Sequence, residues 1–145
     1  MTRRFLLVVI GGVFTLPAAA APAAPSEHEL HTSACVAALD VNTEALAQQV
    51  KAGREELRPL LLGRLKSGAA FIGAAYLQGE RDEARSQALL KDAREAQKSL
   101  PESELAARQL ACAEEGMRLY ADANFIERQV VTMFAEKRLN RLLGR

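Results

Sequence analysis

The residues best suited to chemistry lie close together near the N-terminus. The stretch SEHELHTSACVAALD, residues 26–40, holds both histidines of the chain and the first of its two cysteines, spaced His28-x2-His31-x3-Cys35. Imidazole and thiolate are metal donors, and the carboxylates of Glu27, Glu29 and Asp40 are nearby. On a helix His31 and Cys35 would share a face, with His28 one turn back. A structural zinc site usually takes four ligands, however, and the chain has no CxxC pair to complete one. His28 and His31 stand as candidate metal ligands, but the simpler expectation is two solvated histidines ahead of the fold, with no metal and no other cofactor.

Cys35 has two further readings. A lipoprotein cysteine directly follows the apolar part of its signal, whereas Cys35 lies nineteen residues past Leu16, with Glu27, His28, Glu29 and His31 between. A disulfide suits it better. Cys112 is the only other cysteine, both sit at apolar positions of predicted helices, and an exported chain enters an oxidising compartment. The Cys35–Cys112 bridge would close a loop of about 80 residues. By restricting the unfolded chain it would stabilise the fold by about 4 kcal/mol.

Export is read from the N-terminus, MTRRFLLVVIGGVFTLPAAAAPAAP. Arg3 and Arg4 precede an uncharged run from Phe5 to Leu16 and then small residues, the three-part layout of a secretory signal peptide. A stable membrane span needs about 20 apolar residues, so the run is too short for an anchor. Cleavage after Ala20 makes residues 1–20 the signal. The arginine pair raises the twin-arginine route, but the aromatic directly after it and the strength of the apolar run favour the general secretory path. The expected location is periplasmic or secreted. Residues 21–29 read as a flexible Pro/Ala-rich leader, and residues 30–145 as a single helical domain.

Charge and composition narrow the class. The chain carries 19 basic and 18 acidic residues, and loss of residues 1–20 would leave a formal charge of −1. A nucleic-acid binder would show a basic excess, so no nucleic-acid partner is expected. Tryptophan is absent and good helix formers dominate. No strand alternation and no repeat of 33 to 47 residues appears. The expected fold is all-α: a small bundle of about four helices with a long C-terminal helix and one intramolecular disulfide.

These elements must position the candidate residues. A short helix is predicted over 33–39, followed by a turn over Asp40–Asn42. Thr43 then caps a helix through TEALAQQVKAGREELR. Pro59 disfavours helical geometry at Arg58 and restarts the chain as PLLLGRLKSGAAFIGAAYLQ. That helix has no charge from Ser67 to Gln78. Apolar all round and rich in small residues, it should be central and buried, with Ser67, Ala70, Gly73 and Ala74 allowing close approach. Its uncharged run is too short to span, so no integral membrane segment is expected after signal cleavage. Gly79 ends it, and Asp82 caps EARSQALLKDAREAQKSL. Ser99 and Glu102 form a predicted capping box around Leu100-Pro101. Beyond it one apolar stripe, Leu105, Cys112, Leu119, Ala123, Ile126, Val130 and Met133, predicts a single helix over 101–143 with room for a bend near Gly116.

Catalytic motifs are missing: there is no GxSxG, HExxH, CxxCH or Gly-rich phosphate loop. A non-enzymatic protein is expected. Lys137, Arg138, Arg141 and Arg145 complement the dipole of the last helix. Phe125, Val131, Phe134, Leu139, Leu142 and Leu143 place apolar residues on more than one side of that helix and make a candidate partner surface. The resulting expectation is an exported helical protein acting through protein–protein interaction in the bacterial envelope, its partner another envelope protein or a second copy. The alternative is a metal- or small-ligand-binding helical bundle.

Overall fold

The computed structural model describes residues 23–145; the signal-peptide reading of residues 1–20 lies outside them. The chain enters the fold earlier than its composition suggests. Ser26 Oγ accepts a hydrogen bond from the Glu29 amide while the Glu29 carboxylate accepts one from the Ser26 amide, a capping box that starts α1 (Glu27–Asp40). Arg85 donates to the Ala23 and Ala24 carbonyls and, through two nitrogens, to the Glu29 carboxylate. Residues 23–29 are thus tied to the bundle instead of forming a flexible leader. The S-x-x-E spacing of Ser26 and Glu29 was the visible signal for this start.

Two predicted helix boundaries shift. Asn42, in left-handed geometry at φ 67°, precedes α2 (Thr43–Lys51), and Thr43 Oγ1 donates to the Asp40 carbonyl instead of capping. The helix then stops well short of Arg58, because Gly53 adopts φ 103° and the Gly53 and Arg54 amides turn back onto the Val50 and Gln49 carbonyls. A 3-10 turn, Glu55–Leu57, leads into α3 (Arg58–Leu77), with Pro59 in its first turn as expected. After Gly79, Asp82 caps α4 (Glu83–Lys98) by accepting from the Arg85 amide. The capping box expected of Ser99 and Glu102 does not form. Ser99 Oγ donates to the Ala96 carbonyl, and α5 (Glu102–Asp122) begins directly after Pro101.

The largest correction concerns the C-terminus. In place of one helix over 101–143, the chain breaks at Ala123–Asn124 and α6 (Phe125–Leu143) starts afresh. Asn124 Oδ1 accepts from the Glu127 amide and the Glu127 carboxylate from the Asn124 amide, so this start has its own capping box. A continuous helix would have run roughly 60 Å, past anything able to cover it. The break returns α6 over α3, and Tyr120 and Thr132 join their hydroxyls across it at 3.0 Å.

The described residues therefore form an all-α bundle of six α-helices, more than the four or so expected, with Cys35 bonded to Cys112. α3 is its axis and packs against α1, α5 and α6. Toward its N-terminus Leu61 and Leu65 meet Ala47 and Val50 of α2 and Ala135, Leu139 and Leu143 of α6. Toward its C-terminus Phe71 meets Cys35, Val36, Leu39 and Cys112. Gly116 marks no bend. It is where α5 presses on α3: a Cβ there would lie 2.6 Å from Ser67 Cβ, and Ser67 Oγ donates to the Ala113 carbonyl at 3.0 Å.

Together with the preceding turn, α3 is long and apolar enough to cross a membrane by length and composition alone (Glu55–Leu77, mean hydropathy 1.2). The uncharged residues 67–78 alone are too short for this, and the charged and apolar residues ahead of them supply the remaining length. Its apolarity serves the bundle, since α1, α2, α5 and α6 all pack on it. Yet it is not covered all round as expected: Ile72, Tyr76 and Leu77 are more than half exposed.

Candidate functional site

The histidine–cysteine cluster does assemble, though not as a metal site. His31 on α1 places Nε2 2.9 and 3.0 Å from the two carboxylate oxygens of Glu115 on α5, and 3.9 Å from Cys35 Sγ. Cys35 is committed to Cys112, and a disulfide sulfur is not the thiolate that binds metal. That leaves one imidazole and one carboxylate, with side chains 51% and 36% exposed. They form a surface pair astride the disulfide, with the His31 ring edge-on to Phe71. His28 is drawn elsewhere, 3.7 Å from Glu80 beyond the end of α3. Both histidines belong to α1 and not to a loose leader, and the structure turns them toward different carboxylates.

The six residues of the expected partner surface divide. Phe125 and Phe134 are exposed, whereas Val131, Leu139 and Leu143 are buried and Leu142 packs partly buried against the core. The break at Asn124 explains the difference, because it lays the 131-135-139-143 edge of α6 along α3. The neighbouring edge, Ile126, Val130 and Phe134 with Met133, stays open to solvent.

That open edge borders a feature absent from the sequence reading. α1, α3 and α6 enclose a groove of about 610 Å³. α3 is its floor, where Gly68, Ala69 and Gly73 leave room; a Cβ added at Gly68 would meet nothing within 4 Å. Val36 and Leu39 line the α1 wall, and Val130, Val131 and Phe134 the α6 wall. α6 runs antiparallel to α3, with Gly73 beside Val131 and Leu61 and Leu65 clustered with Leu139 and Leu143. The groove consequently has unlike ends. Ile72, Tyr76 and Val130 make one apolar, while Arg64, Lys137, Arg138, Arg141 and Asp40 gather at the other.

The charges at the polar end are unequally satisfied. Asp40 is paired from two sides, by Arg94 of α4 at 2.9 Å and by Arg138. Arg64 is half-buried, and burial pushes its guanidinium pKa down from the ordinary value. Its partner is a neutral group, the Gln109 side-chain oxygen at 3.0 Å. Gln109, itself buried, is fixed there by donating to the Ala38 and Val41 carbonyls. Among the described residues no carboxylate pairs with Arg64, Lys137 or Arg141.

Such a site can hold an apolar body and fix a negative charge at one end. Its only sequence signal was the glycine and alanine content around Gly68, which reads equally well as close helix packing. No protein family, curated protein or solved structure matches the chain.

Proposed function

We propose that the protein is an exported, non-enzymatic helical bundle of the bacterial envelope that binds a small, largely apolar ligand in the groove between α1, α3 and α6. The groove carries this reading. Its size falls within the roughly 300–1,000 Å³ usual for ligand sites, and so does its make-up, apolar with a few polar groups at one place. The disulfide supports export, being compatible with an oxidising compartment. Binding is favoured over catalysis because Asp40, the carboxylate of the groove lining, is held by two arginines and neither histidine reaches the lining.

The neutral dye Nile red tests the site. It should bind the purified protein saturably, and Gly68→Leu, which fills the groove floor, should abolish binding while the circular dichroism spectrum is kept. Equal binding by both proteins would remove the groove as the site.

Protein–protein interaction is the second reading, although burial of Val131, Leu139 and Leu143 takes away half of the surface on which it stood. Phe125 and Ile126 favour it, 68% and 72% exposed at the start of α6 and outside the groove lining. The partner would be another envelope protein or a second copy. For the second copy, sedimentation should show a concentration-dependent dimer that Phe125→Ser with Ile126→Ser dissolves; a monomer at every concentration sinks that version.

A further inference from the structure

We propose that the ligand of this groove is a single-chain anionic amphiphile, a fatty-acid-like molecule whose chain lies along α3 and whose anionic head meets Arg64 and Arg141. The inference rests on the groove being the binding site and adds the class of molecule.

The distribution of charge carries it. Basic side chains gather at the Arg64 end, and the opposite end at Ile72, Tyr76 and Val130 has no charged lining residue. An amphipathic helix would ask for charges along the rim, whereas a ligand charged at one end asks for what is present. The distance from Arg64 to Tyr76 along α3 is about 18 Å at the rise of an α-helix, the length of a long acyl chain. Gly68, Ala69 and Gly73 let such a chain approach the α3 backbone.

The head group follows from the unpaired cations. A guanidinium partly removed from water and facing only a neutral amide oxygen lacks the counter-charge that normally offsets its desolvation. A carboxylate or phosphate would supply it and accept two parallel hydrogen bonds. Asp40 is already engaged by Arg94 and Arg138, so it does not fill that role. Arg141 is exposed, and its side chain makes no hydrogen bond among the described residues, which leaves it able to close on the head from the α6 side.

The experiment compares three probes of one chain length, each kept below the concentration at which it aggregates or separates from water, by titration calorimetry and native mass spectrometry: palmitate, hexadecanol and hexadecyltrimethylammonium. Palmitate should bind once per chain, roughly tenfold or more tighter than hexadecanol, a factor equivalent to one charge-assisted hydrogen bond. The ammonium should not bind. Arg64→Gln with Arg141→Gln should weaken palmitate by a similar factor and hexadecanol by much less, since a hydroxyl offers the guanidinium groups no charge. Because Arg64 also contacts Gln109, Arg141→Gln alone serves as the second variant and should show part of the loss. If hexadecanol matches palmitate, or the arginine variants keep full palmitate affinity, the anionic head is overturned while the groove survives. If Gly68→Leu binds palmitate as wild type does, the ligand sits elsewhere and both readings fall.

Discussion

Ser67 and Gly68 are neighbours in sequence on the same helix, yet they look onto opposite situations. On the Ser67 side α5 presses so close that the opposing residue must be glycine, and a hydrogen bond to the Ala113 carbonyl fixes the distance. On the Gly68 side no heavy atom outside its own helix and chain neighbours lies within 4 Å of where a Cβ would stand. A turn of about 100° around the helix axis separates a close-packed interface from an open groove. Small residues thus permit close approach without requiring it. The closed side is further secured by the Cys35–Cys112 bridge between α1 and α5, while α6 on the open side has no covalent tie.

This contrast can be broken experimentally. Replacing Cys35 and Cys112 by serine should give the largest effect, a loss of about 4 kcal/mol from the unfolded chain regaining its freedom. Denaturant unfolding measures it, and a loss below about 1 kcal/mol would show that packing alone holds α1 to α5. Gly116→Ala should cost about 3 kcal/mol, the upper end for overpacking, since the new methyl meets Ser67 backbone as well as side-chain atoms. Gly68→Ala should go the other way, stabilising by about 0.5–1 kcal/mol because it enters open space on a helix. Equal signs for the two alanines would abolish the distinction between the faces.

The smallest effect belongs to pH. The hydrogen bonds from Arg85, followed by that from the Ser26 amide, lower the Glu29 pKa from 4.5 to about 2. A carboxylate with a depressed pKa contributes stability that is present above its unfolded value and is lost as pH falls toward the folded one. Thermal melts of wild type should therefore exceed those of Glu29→Gln near neutral pH, and the gap should close between about pH 4.5 and pH 2. A gap that stays constant over that window would mean the Arg85 tie does not hold α1 in solution.

Legibility differed from residue to residue. Asp82, Pro59 and Gly79 act through atoms within a few positions along the chain, and each performs as its type implies. Ser26 and Asn124 are equally local signals, but the first was masked by the Pro/Ala composition ahead of it and the second by an apolar stripe that passes through the break. Val131, Leu139 and Leu143 join the core instead of a partner surface for another reason: an apolar edge on a helix states that it will be buried, not against what. The groove was not legible, since its walls come from α1 and α6, which are remote in sequence.

The sequence by itself determined the helical class, most of the stops and starts, and the only intramolecular cysteine pairing available, because these depend on composition, local backbone chemistry and a count of two. The tertiary structure alone decided that the C-terminal stripe folds back at Asn124, that His31 pairs with Glu115 across the disulfide, and that one small-residue face of α3 is filled while the next stays open. Those outcomes depend on which distant surfaces meet. Burial and desolvation are properties of that meeting, and no single segment carries them.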